Sequence, residues 1–209
     1  MPARNPYPTA APFLPDKLSM SALREAVQRC RGCPLYANAT QAVFGEGTLK
    51  AEVMLVGEQP GDQEDRVGAP FVGPAGKLLD RALEEAGIDR RKTYVTNAVK
   101  HFKWKARGTR RIHDNPTWTE TMACRPWLDA ELALVKPRAL VLMGAVAAQS
   151  LLGKTFKVTQ NRGVPIDSEL ADLVVATIHP SAVLRAENRE EMFAGLVDDL
   201  RVVSRTFAH

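Results

Sequence analysis

Four short apolar runs punctuate the chain, at Glu52-Val-Met-Leu-Val-Gly57, Tyr94-Val-Thr-Asn97, Ala139-Leu-Val-Leu-Met143 and Leu173-Val-Val-Ala-Thr-Ile178. Each is short, β-branched or aliphatic and bounded by polar or glycine positions, which predicts a buried strand. The segments between them are amphipathic. Pro74 to Ala86 places Leu78, Leu79, Ala82, Leu83 and Ala86 on one helical face, with Pro at its start and Gly87 as its stop. Thr117 and Glu120 form a capping box for a helix carrying Met122, Trp127, Leu128, Leu132 and Val135. Ala145 to Leu152 predicts a short helix, and Met192, Phe193, Leu196, Val197, Leu200 and Val203 line the inner face of a last one. Ser21 to Gln28 predicts a helix leading into Cys30 and Cys33.

Apolar strands alternating with helices imply an α/β fold, a three-layer α/β/α sandwich around a central four-stranded parallel sheet. No internal repeat or linker divides it, so residues 19–209 are expected to form a single domain. Residues 1–18 open with five prolines in the first 15 positions and are expected to be a disordered tail.

In such sheets the chemistry collects beyond the carboxyl ends of the strands. The segments there are Gly57 to Asp62, Asn97 to His101, Gly144-Ala145 and His179-Pro180-Ser181, and three of the four carry polar or ionisable residues that a bare connection does not require.

Composition narrows the partner. The 209 residues are 45% hydrophobic and 25% charged, ordinary globular values, and the net charge of +4 is mild. Its clustering matters more. Lys100, Lys103, Lys105, Arg107, Arg110 and Arg111 fall between Lys100 and His113 with no acid among them, the footprint of a phosphate-binding segment; a solvated basic loop with two incidental histidines is the plain alternative. Three cysteines, Cys30, Cys33 and Cys124, cannot all pair, and the Cys30-Arg31-Gly32-Cys33 spacing points to metal or redox chemistry in a cytoplasmic protein. No stretch reaches the roughly 18 apolar residues of a membrane span, so no membrane partner is expected.

The ordered motifs resemble a known family. Gly57-Glu58-Gln59-Pro60-Gly61, Pro70-Phe71-Val72-Gly73-Pro74-Ala75-Gly76, Tyr94 to Lys100 and His179-Pro180-Ser181 look like the uracil-DNA glycosylase superfamily, specifically its iron-sulfur branch related to family 4. Gln59 stands where family 4 has alanine, and Thr109-Arg110-Arg111-Ile112-His113 is similar to an insert of the X-type members that become covalently attached to DNA. That pattern has Lys where this chain has Thr109.

The resemblance implies a monomeric enzyme acting on uracil-containing DNA. Phe71 would stack on the extruded base and Asn97 would read its edge, an amide offering both donor and acceptor. His179 would donate to the uracil oxygen where negative charge builds, and Glu58 would face the positive sugar. Gly61 would allow close approach, with Gln59 and Asp62 beside the nucleotide and Ser181 among the DNA contacts. The loop from Glu58 to Asp65 is the candidate for excluding thymine. His113 would capture the sugar itself instead of water. His101 takes the place of a family cysteine and would join Cys30, Cys33 and Cys124 on a 4Fe-4S cluster, although this ligand set taken alone favours zinc. Two readings compete with covalent capture: a conventional turnover glycosylase, and a non-catalytic metal-containing module that binds damaged DNA.

Overall fold

The computed structural model describes residues 7–207. In chain order the helices are α1 Met20–Ala26, α2 Asp62–Val67, α3 Pro74–Glu85, α4 Trp118–Val135, α5 Ala145–Leu152, α6 Val158–Asn161, α7 Pro180–Arg185 and α8 Arg189–Phe207. The strands are β1 Glu46–Gly47, β2 Val53–Gly57, β3 Thr93–Asn97, β4 Trp104–Arg107, β5 Arg110–His113, β6 Ala139–Met143, β7 Pro165–Ile166 and β8 Leu173–Thr177.

The main sheet runs β1-β3-β2-β6-β8-β7. Its four central strands, those predicted from the apolar runs, are parallel and in register, with Leu55 opposite Val95 and Val141, and Val141 opposite Val175. The two-residue strands β1 and β7 pair antiparallel and close the edges, an addition to the four expected strands.

Alternation along each strand builds two apolar layers. Leu55, Val95, Val141 and Val175 face Leu79, Ala82 and Leu83 of α3 and Leu196, Val197 and Leu200 of α8. Met54, Tyr94, Leu140 and Val174 face Leu128 of α4 and Ala147 and Ala148 of α5. Every residue of the four central strands is buried, so polar side chains in this sheet are confined to the strand ends or to paired positions. No helix among the described residues is long and apolar enough to cross a membrane.

Three expectations are corrected. Residues 1–6 lie outside the description, but residues 7–18 are packed, not disordered. Ala10 is buried, its N–H donates to Ala123 O at 2.7 Å, and Phe13 and Leu14 rest against the cluster that holds the three cysteines. The segment after Gly61 is a helix, not a loop, because Glu64 turns back to accept from Gly61 N and caps it. The basic stretch is not a loop either. Strands β4 and β5 form an antiparallel hairpin with Trp104 opposite His113 and Arg107 opposite Arg110. Gly108 turns it at φ +59°, a conformation that two-residue hairpins assign to glycine.

Candidate active site

The site is built around the backbone of Gly57, the last residue of β2. A Cβ at this position would collide with Asn97 Oδ1 and would lie 2.7 Å from Phe71 Cζ and 3.3 Å from His179 Nε2. Three predicted side chains from three separate segments therefore converge on one point, and a glycine is required between them. The rings of Phe71 and His179 are near-parallel, with centroids 6.2 Å apart and planes at 29°. Together they form a cup with one aromatic wall, one amide and one imidazole.

Phe71 holds a strained backbone, with φ +57°. Gly76 makes room for it, since a Cβ there would run into the Phe71 carbonyl oxygen. Glu64, which the sequence reading passed over, ties the two walls of the cup. Its Oε1 accepts from Gly73 N at 2.7 Å and its Oε2 from Gly61 N at 3.1 Å.

His179 is set up as a neutral donor. Ser181 N donates to Nδ1 at 3.2 Å and Ser181 Oγ stands 2.8 Å from the same atom. With Nδ1 accepting, the ring proton of neutral His179 sits on Nε2, which is buried, faces the cup and has no protein partner. Burial, then the charges of Arg185 and His113, pushes the imidazole pKa down to about 4, so the ring stays neutral at physiological pH. Ser181, expected to contact DNA, thus orients His179.

Glu58 and His113 meet at the rim, His113 Nε2 lying 3.4 Å from Glu58 Oε1. That oxygen is buried and has no hydrogen-bond partner. Burial pushes the Glu58 carboxyl up to about 7 against the opposing pull of Arg185, and burial followed by Arg185 lowers the His113 pKa while Asp114 raises it. A neutral imidazole beside a half-ionised carboxyl can take part in proton transfer. Arg185, exposed at the end of α7, acts electrostatically on Glu58, His113 and His179 at once, and the sequence reading missed it.

Gln59 does not enter the cup. It is buried, and its amide clamps the root of the hairpin: Oε1 accepts from Lys103 N at 3.0 Å, while Nε2 donates to Lys103 O at 3.2 Å and Asp114 O at 3.0 Å. Asp62 also turns away from the cup to pair with Arg66 and, at 2.5 Å, with Arg111. Arg111 reaches Asp65 at 2.6 Å as well, so its guanidinium pins the hairpin to α2 instead of waiting for phosphate. Lys100, counted among the DNA contacts, is fully buried and paired with Glu131. Lys103 is largely occupied by Glu120 at 2.9 Å. Lys105, Arg107 and Arg110 remain exposed around the hairpin turn.

Cys30, Cys33, Cys124 and His101 are all buried, and the three cysteines share one apolar cluster with Val99, Ala123 and Trp127. Trp127 Nε1 donates to Cys30 Sγ at 3.2 Å and Lys100 N to Cys124 Sγ at 3.3 Å. Burial is the main cause pushing the Cys33 thiol up to about 11 and the Cys124 thiol to about 12, and Cys30 adds to both. Burial also lowers His101 to about 4, against the charge of Asp65. Among the described residues no three His, Cys, Asp or Glu side chains converge as ligands of a single metal ion. Three thiols and a neutral imidazole are nonetheless buried together, a set of soft donors suited to holding a metal centre.

The cup thus presents an aromatic ring, an amide and a neutral imidazole donor, with a second imidazole and a carboxyl at its rim, at the carboxyl end of an α/β sheet. Residues 44–201 match the family described as Uracil DNA glycosylase superfamily, and the chain belongs to that superfamily. It is 40% identical over 172 residues to the Type-4 uracil-DNA glycosylase of Thermotoga maritima, covering 82% of this chain and 86% of that protein. The Type-4 uracil-DNA glycosylase of Pyrobaculum aerophilum is 35% identical over 175 residues, covering 80% and 86%. A Type-5 uracil-DNA glycosylase of Mycobacterium bovis is 26% identical over 219 residues, covering 87% and 79%.

The Gly76–Phe71 contact is testable. Gly76→Ala must displace backbone, so it should cost about 1–3 kcal/mol in chemical denaturation. An unchanged midpoint would show that Phe71 does not need the room that Gly76 leaves.

Proposed function

We propose that this protein excises uracil from DNA and is then captured on the resulting sugar by His113. The observation that carries the reading is the 3.4 Å approach of His113 Nε2 to a buried Glu58 oxygen that has no other partner.

An extruded uracil would stack on Phe71, with its edge on the Asn97 amide. As the C1′–N1 bond breaks, the electron pair leaves with the base and charge spreads to the uracil oxygen, where His179 Nε2–H donates. The sugar is left as an oxocarbenium ion facing Glu58. The Nε2 lone pair of His113, whose ring proton is on Nδ1, then forms the C1′–N bond, and the resulting imidazolium releases its Nδ1 proton to solvent, leaving a neutral alkylated imidazole. Without His113, water occupies the same space and Glu58 orients it, which is the conventional turnover reading that the names of the Type-4 relatives favour. Lys105, Arg107 and Arg110 serve the DNA backbone.

Cys30, Cys33, His101 and Cys124 would hold a 4Fe-4S cluster. When bound it supplies a rigid staple between the cysteine turn and α4, and none of the steps above draws electrons from it.

Three outcomes are expected. Wild-type protein mixed with uracil-containing DNA gives a complex that survives boiling in detergent, whereas His113→Ala gives no complex but still releases uracil. Release without any wild-type complex would leave the turnover reading in place. The single-turnover rate falls about tenfold per pH unit below pH 7 as Glu58 protonates, and levels off above it. A flat profile between pH 5 and 8 would remove Glu58 ionisation from the chemistry. Elemental analysis finds iron and inorganic sulfide; stoichiometric zinc instead would overturn the cluster assignment.

A further inference from the structure

Lys100 lies in the turn between the base cup and His101, and its side chain is completely buried. All three donors of its ammonium are used: Glu131 Oε2 at 2.5 Å, Thr96 Oγ1 at 2.7 Å and the backbone oxygen of Asn97 at 2.8 Å. Glu131, also fully buried on α4, accepts in addition from Gly45 N at 3.0 Å, Tyr94 Oη at 2.9 Å and Thr96 Oγ1 at 2.9 Å. The lysine therefore folds back three residues onto the carbonyl of the residue whose amide reads the base.

That carbonyl lies where β3 leaves the sheet. The following N–H groups of Ala98 and Val99 pair with Gly57 O at 2.9 Å and Glu58 O at 3.0 Å. The ammonium caps the Asn97 end of the same turn, so the orientation of the 97–98 peptide, and with it the Asn97 side chain, depends on a lysine charge that α4 anchors through Glu131. A buried ion pair is a poor device for stability, because its desolvation cost rivals its attraction and an uncharged pair of similar volume serves the fold as well. Orientation of a polar group is what a charged pair supplies and an apolar one does not.

We infer that Lys100, held by Glu131, is the positioning residue that sets the Asn97 amide in the base cup. The inference rests on the base-excision reading above. The test is a double-mutant cycle on single-turnover uracil release at saturating DNA. The neutral pair Lys100→Met with Glu131→Gln keeps an amide oxygen for Gly45 and Tyr94 but removes the donor to Asn97 O. It should slow release by about 100-fold, the cost of a misplaced catalytic contact, with DNA affinity within about twofold because phosphate contacts supply most of that affinity. In an Asn97→Ala background the same pair should slow release less than about threefold, since the group it positions is gone.

Equal losses in both backgrounds would show general structural damage and overturn the inference; so would an undiminished rate in the first. If that variant does not fold, Lys100→Gln with Glu131→Gln takes its place: it also removes the ammonium, leaves no buried charge, and should slow release by about 100-fold in the wild-type background but less than about threefold in the Asn97→Ala background; equal losses in the two backgrounds would overturn the inference. Wild-type protein that releases no uracil would overturn the function itself, and this assignment with it.

Discussion

Four parallel strands buried on both faces leave few places for polar chemistry other than their ends, and the architecture of this protein follows from that constraint. Gly57 and Asn97 stand at the ends of the neighbouring strands β2 and β3, and His179 lies just beyond β8 on the far side of β6, so all three meet at the carboxyl end of the sheet. Phe71 comes from outside the sheet and needs a separate device, a strained backbone for which Gly76 makes room. The cup is thus as rigid as the sheet beneath it.

Desolvation sets its chemistry. The same burial that lowers His179 raises Glu58, since each charged form loses water, and the two shifts leave a neutral donor on one side and a carboxyl poised near neutrality on the other. Arg185 biases both from the rim while remaining in solvent. An arrangement of this kind stabilises charge as it develops and avoids keeping full charges buried beforehand.

The hairpin is a mobile kind of element, two short exposed strands with little core of its own. It is fastened at its root by the Gln59 amide and along its length by Arg111 on Asp62 and Asp65. Those bonds hold His113 against Glu58. The glutamine and the arginine are therefore two halves of one attachment.

Much of this was legible in the chain. The four strands and the principal helices followed from apolar period and capping residues, because burial on both sheet faces leaves an unmistakable run of aliphatic residues. Phe71, Asn97, His179, Glu58 and His113 stood out through ordered motifs, and the fold gathers the first three around Gly57 with Glu58 and His113 paired at the rim. What charge and spacing along the chain could not convey was direction. Lys100 and Arg111 belong to a basic run, yet one turns into the core toward Glu131 and the other toward Asp62 and Asp65, partners separated from them by 31, 49 and 46 positions. Gln59 looked like a pocket residue, and the proline-rich start looked like a free tail, for the same reason. The sequence by itself determined which segments are strands and which residue types cluster at their ends, since those depend on local period and composition. The tertiary structure alone decided which polar groups face the cup and which hold the others in place, since a buried polar side chain takes its role from partners that only folding brings within reach.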